Sequence, residues 1–166
     1  YTITELEGMP KPVQRPYPPI VIGGGGKKVL SLAAREADII GINGNLKAGK
    51  PDDPTNASDM NPTQTDQKMA WVREAAGDRY ADIEIQAFAG FTFFTNDTKA
   101  LAEGMAPAFG TTPEEALDTP VALVGTVDDM VSQIERRRER WDMTYHVVGS
   151  EVIDEFAPVV ARLAGT

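Results

Sequence analysis

Cysteine is absent from the 166 residues. Disulfides, thiol nucleophiles and cysteine-rich zinc sites are therefore excluded, and the composition suits a reducing compartment. Histidine is nearly absent as well: His146 is the only one. No cluster with metal-ligand spacing exists, so no metal is expected. No G-x-S-x-G nucleophile elbow occurs. No apolar run approaches the roughly 18 residues of a membrane-spanning helix. The longest, around Ile20–Ile22 and Val121–Val124, are strand-sized. No basic start leads into an apolar segment, so no signal peptide is visible, and a cytoplasmic protein without a membrane partner is expected. The chain opens at Tyr1 without an initiator Met and reads as cut from something longer.

Positive charge is also short. Sixteen Lys and Arg face 25 Asp and Glu, a net −9, which argues against nucleic acid as a partner. The deficit is uneven. Residues 1–50 carry seven basic and four acidic side chains, a net +3, and the remainder carries −12. An acidic chain that gathers its positive charge in one segment suits a small anion there.

What is present is an ordinary globular composition, 42% hydrophobic and 25% charged, at one domain's length. Residues 1–19 hold five prolines, Pro10, Pro12, Pro16, Pro18 and Pro19, and read as an extended lead-in. Ile20–Ile22 is a short strand that runs into Gly23-Gly24-Gly25-Gly26. A helix from Lys27 to Ala37 follows, with Val29, Leu30, Ala33, Ala34 and Ala37 on one face, and then a strand over Asp38–Ile42. This is a compact βαβ unit and predicts parallel strands. Residues 43–61 are breakers and polar residues, a loop long enough for a substrate lid, with plain disorder as the competing reading. A helix over Thr63–Ala76 stops at Gly77. Ile83–Thr95 alternates as one long strand, with Glu84 and Gln86 sharing a face. A helix over Thr98–Met105 and a capping box at Thr112-Pro113-Glu114-Glu115 come next. Thr126-Val127-Asp128-Asp129 starts a second capped helix, whose stripe is Val127, Met130, Val131, Ile134 and Trp141. Tyr145–Val148 is the last strand. A final helix over Glu151–Leu163 is interrupted near Pro158.

Residues 20–166 thus hold four βα units, with strands near 20–22, 38–42, 83–93 and 144–148, and the fold class is α/β with a parallel sheet. Four units make either a small open sheet or half of an eight-fold barrel of about 250 residues.

The constellation that carries chemistry is Ile20-Val21-Ile22-Gly23-Gly24-Gly25-Gly26-Lys27-Lys28. Glycines permit positive φ and close ligand approach. The helix that follows offers free N–H groups and the positive end of its dipole to an anion. Two lysines at that end are disfavoured by roughly 0.3–1 kcal/mol each against the dipole, which a bound phosphate would offset. A plain strand–helix turn with solvated lysines is the alternative. The segment is not a Walker A loop, because Val29 follows Lys28, and not a dinucleotide fingerprint, because Lys28 stands where the third Gly belongs. His146 reads as a packed strand residue. Glu84 and Gln86 would face the lumen of a closed barrel, where a structural polar network is the expected role ahead of a functional one. Arg136-Arg137-Arg138-Glu139-Arg140 reads as a solvated helix face salt-bridged to neighbouring acids.

Residues 10–43, PKPVQRPYPPIVIGGGGKKVLSLAAREADIIGIN, resemble the middle of bacterial luciferase-like oxidoreductases, most closely the branch that depends on the deazaflavin coenzyme F420. Residues 123–148, LVGTVDDMVSQIERRRERWDMTYHVV, resemble the closing motif of that family. The resemblance implies the C-terminal half of a (β/α)8 TIM barrel, with the four strands here as its fifth to eighth. It implies that Gly23, Gly24, Gly25 and Gly26, with Lys27 at the helix start, hold the phosphate of F420 or FMN. The first four strands are not in this sequence, so no catalytic residue is assigned. The expected protein partner is the missing N-terminal half-barrel, or a second copy in a homo-oligomer.

The implied function is F420-dependent hydride transfer to or from a small organic substrate, with the isolated piece inactive. An FMN-dependent monooxygenase is the alternative within the class. A non-catalytic half-barrel that binds a phosphorylated small molecule is the alternative outside it. An open doubly wound nucleotide-binding domain would need an acid at the end of its second strand, which here ends Ile40-Gly41-Ile42-Asn43.

Overall fold

The computed structural model describes residues 2–45, 49 and 55–165. The Pro-rich lead-in up to Ile20 forms no helix or strand, and its described residues are exposed. The first βαβ unit follows as strand β1 (Val21–Gly24), helix α1 (Lys27–Glu36) and strand β2 (Ile39–Ile42). Leu30, Ala33, Ala34 and Ala37 are fully buried at helical spacing. The last carbonyls of α1 are satisfied by Arg79, which donates to Ala34 O at 3.0 Å and Ala37 O at 2.6 Å.

A short helix α2 (Thr55–Ser58) interrupts the expected 43–61 loop. Most of the residues proposed as a lid, 46–48 and 50–54, lie outside the described residues. Helix α3 (Pro62–Ala76) starts at Asn61, whose Oδ1 accepts from Gln64 N–H at 2.9 Å, with Pro62 in its first turn. It ends at Gly77, which takes φ +54° and leads into a 3-10 turn (Gly77–Asp82).

The long strand expected over Ile83–Thr95 is two strands, β3 (Glu84–Ala89) and β4 (Phe91–Phe94), broken at Gly90. The break inverts the alternation. Ile85, Ala87 and Ala89 are buried, whereas Phe91 is exposed and Thr92 buried. Helix α4 (Thr98–Phe109) runs four residues beyond the expected end and contains Pro107. Helix α5 (Pro113–Ala116) follows its capping box as read. Strand β5 (Ala122–Gly125) leads into helix α6 (Val127–Trp141), capped reciprocally by Thr126 and Asp129. Strand β6 (Met143–Val148) starts two residues early. A 3-10 turn (Ser150–Val152) precedes helix α7 (Ile153–Leu163), which continues through Pro158 instead of stopping there.

Strands β1, β2, β3 and β6 form one parallel sheet in that order, and β4 and β5 form a second parallel pair. The β3–β6 register shifts between Ile85 and Gln86. One face of the larger sheet, with Ile40, Ile42, Ile85, Ala87 and Met143, packs on α1, α3 and Trp141 of α6. A smaller cluster joins Ala89, Leu123, Met130, Ile134, Phe156 and Val159. Val21, Glu84, Phe88 and Tyr145, on the opposite face, are exposed. A doubly wound sheet would reverse strand order about its first strand and carry helices on both faces. Here the strands follow in sequence and the helices pack on one face, as around one side of a barrel.

Candidate functional site

In a parallel sheet every strand delivers its following loop to the same end, so the segments after β1 and β2 meet. The boundary of β1 changes the reading of the glycine run. Gly23 and Gly24 belong to the strand, paired with Gly41 and Ile42, and only Gly25 and Gly26 make the turn into α1. None of the four takes positive φ. Their lack of a side chain matters through space instead of through dihedral freedom.

Gly25 is the most constrained. A Cβ there would overlap Asn45 N and Gly44 C and stand 2.5 Å from Asn43 O. The chain leaving β2 therefore lies directly on Gly25. It is held in place by Asn43 N–H donating to Gly24 O at 3.0 Å and Asn45 N–H donating to Asp59 Oδ2 at 2.8 Å. Asp59 is fixed in turn by the buried Lys68 ammonium, 2.7 Å from the same oxygen. Gly24 is closed off by Val29, whose Cγ1 would lie 2.6 Å from an added Cβ.

Gly26 is the N-cap of α1, with extended backbone (φ −99°, ψ 150°), no side-chain cap and no acid in the first turn. The nearest atom to a Cβ at this position is Asn45 Nδ2, at 3.4 Å. The free N–H groups of the first turn and the dipole's positive end thus converge with a side-chain amide. Lys27 and Lys28 both remain exposed. The expectation that two lysines require a bound anion holds poorly for Lys27, which pairs with Glu74 of α3 at 3.3 Å. Among the described residues Lys28 makes no ion pair.

The structure therefore brings Gly25, Gly26, Lys27 and Lys28 together and sets Gly23 and Gly24 apart, on the strand. Asn43 and Asn45 were missed by the sequence reading. Asn43 Nδ2 would lie 2.9 Å from a Cβ on Gly23, and Asn45 reaches Gly26. The signal was their position just after the neighbouring parallel strand.

Glu84 and Gln86 share the open face as expected. Gln86 Oε1 crosses Gly41, where a Cβ would lie 2.8 Å away. Phe88 and Tyr145 stand on the same face, 49% and 39% exposed. His146, in register with Ala87, turns to the helix side instead, and its Nε2 is buried without a hydrogen-bond partner among the described residues. Burial first, then Arg137 and Arg138, pushes its pKa down to about 4. It is a packed strand residue, as read.

The arginine run departs from expectation. Arg136 does pair with Asp118 at 2.9 Å, and Arg140 with Asp66 at 2.7 Å, but Arg137 is buried. Helix periodicity is the cause, because Arg137 falls on the same face as Ile134 and Trp141.

No protein-family model matches the chain, and no curated protein matches it. Many solved structures share its fold, and two illustrate it. The coenzyme F420-dependent tetrahydromethanopterin reductase from Methanopyrus kandleri matches with a TM-score of 0.52 and 19% identity, over 85% of this chain and 48% of that one. The long-chain alkane monooxygenase LadA matches with a TM-score of 0.51 and 14% identity, over 89% of this chain and 41% of that one. The chain spans about half the length of either. The likeness bears out the expected fold class, α/β with parallel strands, over a length that corresponds to half of those barrels.

Proposed function

We propose that this chain is the cofactor-phosphate half of a luciferase-like oxidoreductase that uses coenzyme F420. The observation that carries the reading is the start of α1, an uncapped helix N-terminus at the C-terminal end of a barrel strand, with Gly26 open beside Asn45 and Lys28 without an ion pair among the described residues. These residues fit a phosphate. The first-turn N–H groups donate to its oxygens, the Asn45 amide lies beside them, and Lys28 supplies charge. Gly25 contributes indirectly, by letting the β2 exit seat Asn45 there. Gly23 and Gly24 shape the strand beneath.

The bound cofactor supplies hydride chemistry, and the chain supplies orientation and electrostatics. Its open face, with Gln86, Phe88 and Tyr145, forms one wall of the barrel interior. A small organic substrate meets the cofactor at the strand ends. The unpaired edges β1 and β6 and the exposed face dock a complementary half-barrel, which carries the remaining contacts to the cofactor ring. An FMN-dependent monooxygenase is the second reading, favoured by the fold shared with an alkane monooxygenase. A phosphate at α1 serves either cofactor.

The test is titration of the chain with F420 and with FMN, followed by fluorescence and thermal shift. Gly26→Asp is the control. It fits the extended N-cap, caps the helix and places a negative charge where the phosphate would sit. Saturable F420 binding that Gly26→Asp abolishes supports the proposal. Tighter FMN binding moves it to the monooxygenase. A folded chain that binds neither overturns the assignment of the phosphate site to this half.

A further inference from the structure

Arg137 is 1% exposed. Its Nη2 donates to Ala122 O, but its Nε and Nη1 are buried with no hydrogen-bond partner. Among the described residues Asp118 is the carboxylate whose charge acts on it, and that group is already paired with Arg136. Buried guanidinium groups are ordinarily paired, since an isolated charge in the interior is costly. Beside Arg137 lies a cavity of about 370 Å³, bounded by Asp118, Arg136, Arg137, Glu139, Arg140 and Trp141. That volume is within the range of small-ligand sites. It lies along α6, in the helix layer, away from the turn into α1.

We propose that this cavity binds one compact oxyanion, a carboxylate or phosphate group, whose counter-charge is the Arg137 guanidinium. The other two arginines of the wall are already compensated. Arg140 is held by Asp66 and stacks on the Trp141 ring at 4.9 Å, and Arg136 is held by Asp118. Arg137, which shares Asp118 with Arg136, is therefore the least compensated of the three. Asp118 and Glu139 in the same wall disfavour a polyanion, which restricts the ligand to one small group. The free nitrogens of Arg137 are covered, so entry requires the wall to yield. The Arg136–Asp118 pair in that wall is partly exposed and contributes little to holding it shut. Burial, which Asp118 offsets only in part, also pushes the Arg137 pKa down to about 9, the direction a bound anion would reverse.

The experiment is calorimetric titration and thermal shift with inorganic phosphate and with acetate, against chloride at matched ionic strength. It is run in the Gly26→Asp variant so that the α1 turn does not contribute. A saturable, one-to-one response is expected, and Arg137→Met weakens it at least tenfold. Stronger binding of phosphate marks a phosphorylated ligand, and stronger binding of acetate a carboxylate. Glu139→Gln, which removes a negative charge from the wall, tightens binding several-fold and serves if Arg137→Met does not fold. No saturable response in Gly26→Asp overturns the proposal, as does a response that Arg137→Met leaves intact. A phosphate response present in the unmodified chain and lost in Gly26→Asp belongs to the α1 turn, which supports that reading and overturns this one.

Discussion

Replacing Gly25 with Ala tests whether the glycine run is shaped by the chain itself or kept open for a ligand. The added methyl group would overlap the backbone of Gly44 and Asn45. Backbone cannot rotate away as a side chain can. The segment must therefore move bodily, and its hydrogen bond to the Asp59 carboxylate must stretch or break. Overpacking costs typically 1–3 kcal/mol, and a hydrogen bond to a charged acceptor contributes about 1.5–3 kcal/mol. Partial relaxation shares these terms, and a loss of about 3 kcal/mol is expected. For a chain of this length that lowers the melting temperature by roughly 6–12 °C. Gly26→Asp is one residue away and is expected to be neutral or stabilising by a few tenths of a kcal/mol, through the N-cap bond it adds. Urea denaturation followed by far-ultraviolet circular dichroism measures both. If Gly25→Ala is as stable as the unmodified chain, the β2 exit is not seated on Gly25. The placement of Asn45 beside Gly26 then fails with it.

Three further outcomes are expected. The folded pKa of His146 lies near 4, below the unfolded value of about 6.5, so the unfolded chain takes up its proton first as pH falls. The stabilisation is complete above pH 6.5 and declines toward pH 4 by about 3 kcal/mol; denaturation midpoints of the unmodified chain and His146→Gln at pH 7 and pH 5 should diverge accordingly, and parallel pH curves would refute it. Lys68→Met leaves the Asp59 carboxylate without its buried partner and should cost roughly 3 kcal/mol, with faster amide exchange at Asn45 as the local readout. Thr126→Ala removes the N-cap of α6, where the Thr126 backbone and hydroxyl hold the Asp129 carboxyl below its usual range; a loss of about 1 kcal/mol by chemical denaturation is expected.

Much of the architecture was legible because local signals and tertiary packing agree. The capping boxes at Thr112 and Thr126, the Gly77 stop and the alanine face of α1 all appear where the residues place them. The failures share a cause. At Gly90 a continuous period-two pattern concealed a change of partner, because β3 pairs with β2 and β6 while β4 pairs with β5. Alternation records which face is covered and not which strand does the covering. The glycine run was read as four equivalent positions for a similar reason. Steric demand at Gly25 comes from residues some twenty positions later in the chain, and nothing within the run separates it from Gly26. Local conformational freedom was the only argument open to the sequence, and none of the four glycines uses it.

The arginine run differs, because its exception was readable. Met130, Ile134, Arg137 and Trp141 follow one another at spacings of four, three and four, which is the buried stripe of a helix. Leaving Arg137 out of that stripe lets residue type outrank position, and in α6 position prevails. The neighbours on either side in the run, Arg136 and Arg140, reach acids at the surface, while Arg137 is carried inward by the turn of the helix. A charge that periodicity forces into the interior must be neutralised, hydrogen-bonded or compensated from outside. One bond to Ala122 O accounts for one of its nitrogens and leaves two. The same reasoning applies to any basic run that crosses a strongly amphipathic helix. The member in phase with the core is the one whose counter-charge has to be found, and here Asp118, the carboxylate that acts on it, is already paired with Arg136.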